Sequence, residues 1–171
     1  MTKGCIIFMG VSGSGKTVIG KHVAQKLNVE FMDADDFHPS ANIIKMSSGI
    51  PLTDADRIPW LNNLGKIASD HLEKEPMLIM ACSALKKSYR DLLRKGISGE
   101  TQFIYLKSSF EEIDSRLQKR VGHFMPKGLL ESQFEALEEP LLTEKNITTI
   151  NASLSVDEVT DNCIEAINNA F

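Results

Sequence analysis

One octapeptide decides the fold of this chain: Gly10-Val11-Ser12-Gly13-Ser14-Gly15-Lys16-Thr17. It matches the pattern G-x-x-x-x-G-K-[ST] at every fixed position. An apolar run of strand length precedes it, and an amphipathic stretch of helical period follows it. Its glycines let the backbone turn tightly and present N–H groups to phosphate oxygens without obstruction by Cβ atoms. All eight residues are therefore candidates for contact with the phosphates of a nucleoside triphosphate.

Two residues of this loop have separate chemical roles. Lys16 is placed to reach the β- and γ-phosphates, and the Thr17 hydroxyl is placed to ligate Mg²⁺. The helix that begins near Lys16 directs the positive end of its dipole at the same anion. The alternative is a glycine-rich turn without a ligand, which does not account for the strand before the loop and the helix after it. We expect a nucleoside triphosphate and Mg²⁺ to bind here.

The rest of the chain alternates strand-length apolar runs with amphipathic helical stretches, and it shows no internal repeat or linker. A helix is predicted over 17–27. The predicted strands are Cys5–Met9, Val29–Met32, Met77–Cys82, Phe103–Leu106 and Thr148–Ile150. This alternation predicts an α/β P-loop nucleoside-triphosphate fold, with a parallel five-stranded sheet and helices on both faces. In such folds the ligand lies beyond the carboxyl ends of the strands.

Length and composition limit the possible functions. A chain of 171 residues fits one domain, which we place at 1–171. The net charge of −4 disfavours nucleic acid as a partner, because a phosphate backbone needs a basic face. No apolar run approaches the roughly 18 residues of a membrane span. Cys5, Cys82 and Cys163 each lie in an apolar stretch, which predicts buried thiols in a reducing, cytoplasmic compartment.

Three helix starts carry signals in the sequence. Ser109 with Glu112, and Ser155 with Glu158, form S-x-x-E capping boxes. Pro59 suits the first turn of a further helix, because proline lacks the N–H that this turn leaves unpaired. We therefore predict helices that begin at these three places.

An acidic turn follows the second predicted strand: Asp33-Ala34-Asp35-Asp36. The third predicted strand ends in Cys82-Ser83 and offers no carboxylate for a metal. Alternation along an extended chain puts Asp33 and Asp35 on the same side. One of them can serve the Mg²⁺ shell while the other faces the acceptor hydroxyl, as a base or as an orienting acceptor. The alternative is a solvated acidic turn without a function.

The polar stretch after this turn, rich in Gly and Pro, supplies candidates for binding the acceptor. Arg57 is the candidate for an acceptor carboxylate, since its planar fork matches that group with two hydrogen bonds. The alternative is a surface ion pair between Arg57 and Asp54 or Asp56. His38 either hydrogen-bonds acceptor hydroxyls or caps the helix that follows it.

The residues after the third predicted strand reach the same rim of the sheet. Ser83 is predicted to cap a helix and to line the acceptor site. Lys86, Lys87 and Arg90 follow on that helix, and one of these cations could face the negative charge of the acceptor. We assign that role to Lys86. A solvated basic helix face is the alternative for each of the three.

A segment at about 121–128, bracketed by glycines and without apolar periodicity, is predicted to be a lid. Closure of a lid excludes water, which would otherwise accept the phosphoryl group. Arg120 is predicted to stabilise the charge on the transferring phosphate. Arg116 is a candidate for nucleotide contact, and His123 for contact with the acceptor.

These motifs, taken together, resemble those of the gluconokinases. The set comprises Gly10–Thr17, Asp33-Ala34-Asp35-Asp36-x-His38-Pro39, Asn42, Lys45-Met46, Gly49, Pro51-Leu52-x-Asp54-x-Asp56-Arg57-x-Pro59-Trp60-Leu61, Cys82-Ser83-Ala84-Leu85-Lys86-Lys87-x-Tyr89-Arg90 and Arg120-x-Gly122-His123-Phe124. The resemblance runs from the first predicted strand to about Pro140.

The resemblance implies Mg²⁺-dependent ATP:D-gluconate 6-phosphotransferase activity, a shikimate-kinase-like fold and commonly a homodimer. Its product, 6-phosphogluconate, feeds the pentose phosphate route. By the same resemblance, Asp35 matches the acid near the acceptor hydroxyl, and Asp33 matches the acid near the metal.

Without the resemblance, the residues indicate only a kinase of a small molecule. A GTPase would need D-x-x-G and N-K-x-D motifs, which the sequence lacks. Other possible acceptors are shikimate, a different sugar acid or a nucleoside monophosphate. From another functional class, the chain could be a nucleotide-binding switch without turnover. The presence of Lys16, Asp35 and Arg120 together disfavours that alternative.

Overall fold

The computed structural model describes residues 3–120 and 127–171. Its strands are β1 Gly4–Met9, β2 Glu30–Asp33, β3 Met77–Ala81, β4 Glu100–Lys107 and β5 Ile147–Asn151. Its helices are α1 Lys16–Leu27, α2 Ser40–Ser47, α3 Asp54–Leu72, α4 Lys87–Gly96, α5 Phe110–Gln118, α6 Lys127–Ala136 and α7 Val156–Asn168. A short 3-10 helix, Ala34–Phe37, joins β2 to α2. No helix within the two described ranges is long and apolar enough to span a membrane.

The five strands form one parallel sheet in the order β2-β3-β1-β4-β5, which confirms the predicted fold class. β1 is the central strand: Ile7 pairs with Met80 of β3 on one side and with Phe103 of β4 on the other. Its residues are buried throughout, as in parallel sheets that helices cover on both faces. The loop after β1 therefore leaves the sheet among the carboxyl ends of its neighbours, where such folds bind ligands.

The hydrophobic core has two main layers, and alternation along β1 divides its side chains between them. Cys5, Ile7 and Met9 belong to the layer under α3 and α4. Ile6 and Phe8 belong to the layer under α1 and α7. All three cysteines of the chain are free and buried in these layers, so the prediction of buried thiols is confirmed.

α3 begins at Asp54, so the prediction that Pro59 lies in its first turn is wrong. Thr53 caps the helix: its hydroxyl accepts from the N–H of Asp56, and the Asp56 carboxylate accepts from the N–H of Thr53 at 2.9 Å. This capping box uses Asp in place of the Glu or Gln that marks the motif in a sequence. Pro59 instead lies inside the helix, where its ring removes one hydrogen bond of the helical ladder.

α4 begins at Lys87, so the prediction that Ser83 caps this helix is also wrong. The residue at the cap position is Lys86, whose side chain makes no capping hydrogen bond. The N–H of Lys87 donates instead to Glu138 Oε2 at 2.7 Å. Because Glu138 is remote in sequence, no local pattern indicates this cap.

The capping boxes predicted at Ser109 and Ser155 are confirmed, with both reciprocal hydrogen bonds in each. α6 begins at Lys127, so the last two residues of the predicted lid belong to a helix. The rest of that segment, including His123, lies outside the described residues.

Candidate active site

The phosphate loop joins β1 to α1 and forms a hollow of backbone N–H groups. Gly10, Gly13 and Gly15 have φ angles of 145°, 81° and 97°, which L side chains rarely adopt. A Cβ atom on Gly10 would lie 2.8 Å from Ser14 Oγ, so the turn is too tight for any other residue there. The Ser14 hydroxyl is buried without a hydrogen-bond partner in the described part of the chain. The hollow and this unpaired donor both suit a bound anion.

Lys16 crosses this hollow from the first turn of α1. Its Nζ donates to the carbonyl of Val11 at 2.9 Å, which holds the ammonium over the loop. Burial lowers the pKa of Lys16, and the nearby Asp35 and Asp33 carboxylates act in the opposite direction. A desolvated ammonium gains from an anionic partner, so Lys16 is well placed for the β- and γ-phosphates.

Thr17 and Asp33 meet at the point where α1 begins and β2 ends. Thr17 Oγ1 donates to Asp33 Oδ2 at 2.8 Å, and Asp33 Oδ1 accepts from the N–H of Asp35 at 3.0 Å. Hydroxyl and carboxylate oxygens are ligands that Mg²⁺ prefers, and it fills its other positions with water and substrate phosphates. By the chemistry of these oxygens, the Thr17–Asp33 pair fits Mg²⁺ as it binds beside a nucleotide.

Asp35 lies in the 3-10 helix after β2 and presents its carboxylate to the same cleft. His38 Nε2 lies 3.6 Å from Asp35 Oδ1. His38 contributes most to holding the pKa of Asp35 below its ordinary value, and Lys16 and Arg57 also lower it. The carboxylate is thus kept ionised, and 75% of the side chain is exposed to the open cleft. It is free to accept a hydrogen bond from an acceptor hydroxyl.

His38 is held from three sides. Its ring stacks on Trp60 with centroids 4.0 Å apart, and only 3% of the side chain is exposed. Asn42 Nδ2 lies 3.3 Å from His38 Nδ1; since the amide nitrogen can only donate, Nδ1 accepts and Nε2 faces Asp35. No side chain caps α2, so the alternative that His38 caps the following helix is wrong.

One cavity of about 580 Å³ brings most of these groups together. The side chains that line it include Lys16, Thr17, Asp33, Asp35, Cys82, Ser83 and Arg120. Five residues of the phosphate loop contribute to the same wall. The structure thus unites in one cleft the residues predicted to bind phosphate, metal and acceptor hydroxyl.

A second cavity, of about 280 Å³, lies beside it and contains Arg57, Lys86 and Tyr89. Lys86 Nζ donates to Asp54 at 2.9 Å, and the Tyr89 hydroxyl donates to the same carboxylate oxygen. Asp56 is bonded instead to Lys45, at 2.8 Å.

Both acids that might have paired with Arg57 therefore have other partners. The Arg57 guanidinium lies 5.7 Å from the centre of the Tyr89 ring. Arg57 makes no ion pair with any carboxylate of the described residues. Its charge is consequently available to an anionic ligand in the second cavity.

A third cavity, of about 330 Å³, adjoins the first cleft and shares Gly13, Gly15 and Arg120 with it. Arg116 and Arg120 line it, together with apolar side chains that include Leu154 and Val156. The Arg116 guanidinium donates to the carbonyl of Ala152, which fixes it at the edge of the cavity. Apolar walls beside a phosphate site suit a nucleoside, so this cavity extends the predicted nucleotide site.

Arg90 departs from its prediction. The sequence predicts that Arg90 either faces the acceptor or lies on a solvated helix face. In the structure it does neither. Its side chain is 1% exposed and pairs with Glu144 at 2.7 Å. Two of its other hydrogen bonds go to the carbonyls of Ala84 and Leu85, so it holds the rim loop between β3 and α4.

Comparisons with known proteins agree with this geometry. The family model described as Shikimate kinase matches residues 12–168. The chain is 50% identical over 161 residues to the thermosensitive gluconokinase of Escherichia coli K12, covering 94% of this chain and 86% of that protein. It is 43% identical over 180 residues to a probable gluconokinase of Mus musculus, covering 96% and 97%. The chain belongs to the gluconokinase family. A crystal structure of a gluconokinase from Sinorhizobium meliloti 1021 superposes with a TM-score of 0.88 at 38% identity, covering 99% and 94% of the two chains.

One polar contact of this gluconokinase-family site has no counterpart in the sequence predictions. Gln133, on α6, accepts a hydrogen bond from the N–H of Ser12 in the phosphate loop at 2.7 Å. The two residues are 121 positions apart, and glutamine in an amphipathic helix carries no functional signal of its own. Only the tertiary structure brings this side chain to the site.

Proposed function

We propose that the protein transfers the γ-phosphoryl group of ATP to D-gluconate, with 6-phospho-D-gluconate as the product. One observation carries the proposal: a single cleft holds the phosphate loop, the Thr17–Asp33 pair and the Asp35 carboxylate, and the cavity of Arg57 lies beside it. The gluconokinases among the relatives support the choice of acceptor.

At the nucleotide, the work of the chain is electrostatic. The loop N–H groups and Lys16 bind the β- and γ-phosphates, and Arg120 stands between the nucleoside cavity and the reaction cleft. Thr17 and Asp33 would hold Mg²⁺, which when bound neutralises phosphate charge and orients the γ-phosphate.

We assign two roles to the side chains around the acceptor. One group binds the carboxylate end of the linear gluconate molecule, and the other orients the hydroxyl at its opposite end. Arg57 binds the carboxylate of gluconate, with Lys86 and Tyr89 in the same cavity. Asp35 accepts the hydrogen bond of the terminal hydroxyl and receives its proton as the oxygen attacks the γ-phosphorus. His38 holds the Asp35 carboxylate toward the cleft, and Ser83 lines the same wall. His123 remains a proposed acceptor contact.

The wider setting belongs to the same proposal. The family resemblance supports a homodimer in the cytoplasm whose product enters the pentose phosphate route. Measurement of the mass in solution tests the oligomeric state, and a monomer at micromolar concentration would contradict it.

The decisive test is ADP release from Mg-ATP with a panel of acceptors. The panel is D-gluconate, shikimate, other sugar acids, AMP and no acceptor. We expect strong stimulation by D-gluconate, a product phosphorylated at the terminal hydroxyl, and loss of turnover when Mg²⁺ is chelated. If only a different acceptor stimulates ADP release, the choice of gluconate is overturned. If no acceptor of the panel stimulates ADP release, the assignment as a kinase is overturned.

A further inference from the structure

Gln133 links two cavities that the proposed reaction uses together. Its side chain lines the cavity of Arg57, Lys86 and Tyr89. Its Oε1 accepts the N–H of Ser12, and Ser12 lines the cleft of Lys16 and Asp35. It thus touches the phosphate loop and the proposed acceptor site at once.

The orientation of the Gln133 amide is fixed by chemistry. A backbone N–H can only donate, so the atom 2.7 Å from Ser12 N must be the carbonyl oxygen of the amide. The amide nitrogen therefore points away from the loop, and it carries two N–H donors. Among the described residues, neither donor has a hydrogen-bond acceptor.

The neighbouring polar residue on α6 does not offer such donors. Ser132 lines the same cavity, but its hydroxyl donates to the carbonyl of Leu129 at 2.8 Å, within its own helix. The cations of the cavity suit a carboxylate, whereas the uncharged amide of Gln133 suits a hydroxyl or carbonyl oxygen. Of the two polar α6 residues that line this cavity, Gln133 is thus the one with free hydrogen-bond donors.

We propose that Gln133 binds the acceptor and sets its position relative to the phosphate loop. Its amide nitrogen donates to one hydroxyl or carboxylate oxygen of the sugar acid, while its carbonyl oxygen stays on Ser12. This inference rests on the proposed function and adds a specificity-determining residue to it. A side chain that is hydrogen-bonded to the phosphate loop fixes the position of the acceptor relative to the γ-phosphate. Small changes in that relative position lower the reaction rate strongly.

The test compares Gln133→Ala and Gln133→Glu with the unchanged protein, and with Glu135→Ala on the exposed face of the same helix as a control. Steady-state rates give KM for D-gluconate, KM for ATP and kcat, and titration of ADP gives nucleotide affinity. We expect Gln133→Ala to lower kcat/KM for gluconate roughly tenfold, the factor that one hydrogen bond carries, with nucleotide affinity nearly unchanged. Gln133→Glu keeps an oxygen for Ser12 but loses the donors and adds a charge facing an anion, so it should lose at least as much.

Acceptors that lack single hydroxyl groups identify which oxygen of the sugar acid Gln133 contacts. Gluconate analogues that lack one hydroxyl at a time are tested on the unchanged protein and on Gln133→Ala, as in a double-mutant cycle. If the partner is a hydroxyl, one analogue will react equally with both proteins. If the partner is the carboxylate, every deoxy analogue will show the same loss in the variant, and the neutral alditol will be insensitive to the substitution.

The outcomes separate this inference from the proposed function. No gluconate-dependent ADP release by the unchanged protein would overturn the proposed function itself. An active protein whose Gln133→Ala variant matches Glu135→Ala in kcat/KM would overturn only the role of Gln133. A variant that loses nucleotide affinity but keeps its KM for gluconate would also overturn it, because Gln133 would then act on the phosphate loop alone.

Discussion

At the scale of single residues, the phosphate loop and the acidic turn divide the proposed chemistry. Lys16 crosses the loop at the cost of desolvation, which lowers its pKa. Asp35 shares the cleft but points to the acceptor side, next to His38. Substitution at each position should therefore affect a different kinetic parameter.

Replacing Lys16 by Ala should lower kcat by about a hundredfold or more, because it removes a positive charge preorganised for the transferring phosphate. Stability should fall little, since the buried ammonium is itself a cost to the fold. Rates of ADP release and a thermal melt measure both effects. Lys66→Ala, on the exposed face of α3, is the control. Substantial turnover by Lys16→Ala would contradict the assignment of the loop.

Replacing Asp35 by Asn should lower kcat by at least about a hundredfold, since the amide cannot take the proton of the acceptor hydroxyl. Nucleotide affinity should change much less, because Thr17 and Asp33 keep their contact. Kinetics and nucleotide titration separate the two effects. Asp36→Asn is the matched control, because Asp36 is the next acid of the same turn and does not line the cleft. A normal kcat with a normal KM for gluconate would exclude a catalytic role for Asp35.

At the scale of secondary-structure elements, α3 carries one wall of the proposed acceptor site, and the placement of this helix depends on its first residue and on its packing. The Thr53 capping box fixes where the helix begins. Close approach to α4 fixes how it lies on the sheet: a Cβ atom on Gly65 would meet the backbone of Gly96 at 3.1 Å. The position of Arg57 thus depends on contacts at the start and in the middle of the helix.

Gly65→Ala should destabilise the protein by about 1–3 kcal/mol, because the added methyl group meets backbone that cannot rotate away. The free energy of unfolding in denaturant measures the loss. Gly128→Ala, on α6, is the matched control: its Cβ would meet no atom of the described residues within 4 Å, so we expect a gain of up to about 1 kcal/mol from helix propensity. Equal effects at the two positions would show that α3 and α4 do not pack as described.

The capping box should also make the stability of α3 depend on pH. A hydrogen bond from Lys45 and smaller contributions from the hydrogen bonds of Thr53 lower the pKa of Asp56 from 3.8 to about 2. A carboxyl group whose pKa is depressed by folding stabilises the folded state above its unfolded pKa, and the contribution disappears as the pH falls through the folded value. Asp56→Asn should therefore lower the melting temperature at pH 7, with a difference from the unchanged protein that shrinks between about pH 4 and pH 2. Asp70→Asn, exposed on the same helix, is the control variant for this comparison.

At the scale of the whole molecule, Arg90 joins parts of the chain that surround the site. From α4 it binds the rim loop after β3, the carbonyl of Glu138 after α6, and the Glu144 carboxylate ahead of β5. Both charged side chains are almost fully buried, at 1% and 4% exposed. Removing one partner would leave the other charge unpaired inside the protein.

Arg90→Met should destabilise the fold by about 3–5 kcal/mol, whereas the double variant Arg90→Met with Glu144→Leu should recover part of that loss. Denaturant unfolding of the single and double variants measures the coupling. Lys26→Ala, which breaks the exposed pair with Asp161, should cost much less, because solvent screens that pair. If Arg90→Met costs no more than Lys26→Ala, the buried pair does not hold these segments together.

The sequence by itself determined the features whose causes are local. The octapeptide at 10–17, the five strand-length apolar runs and the capping boxes at Ser109 and Ser155 each involve neighbours in the chain. A backbone turn, a pleat period and a helix cap depend on residues a few positions apart, so their patterns are visible in order along the chain. The same holds for Asp33 and Asp35, which follow directly from the end of a strand.

Only the tertiary structure decided which distant groups meet. The cap of α4 comes from Glu138, the partner of Arg90 is Glu144, and the phosphate loop is contacted by Gln133. In each case the two partners are more than 50 residues apart. A hydrogen bond depends on distance and direction in space, which a linear pattern does not record. The sheet order, the packing of α4 on one face of the sheet and the packing of α6 against α5 set those distances. Together they make one site from separate motifs.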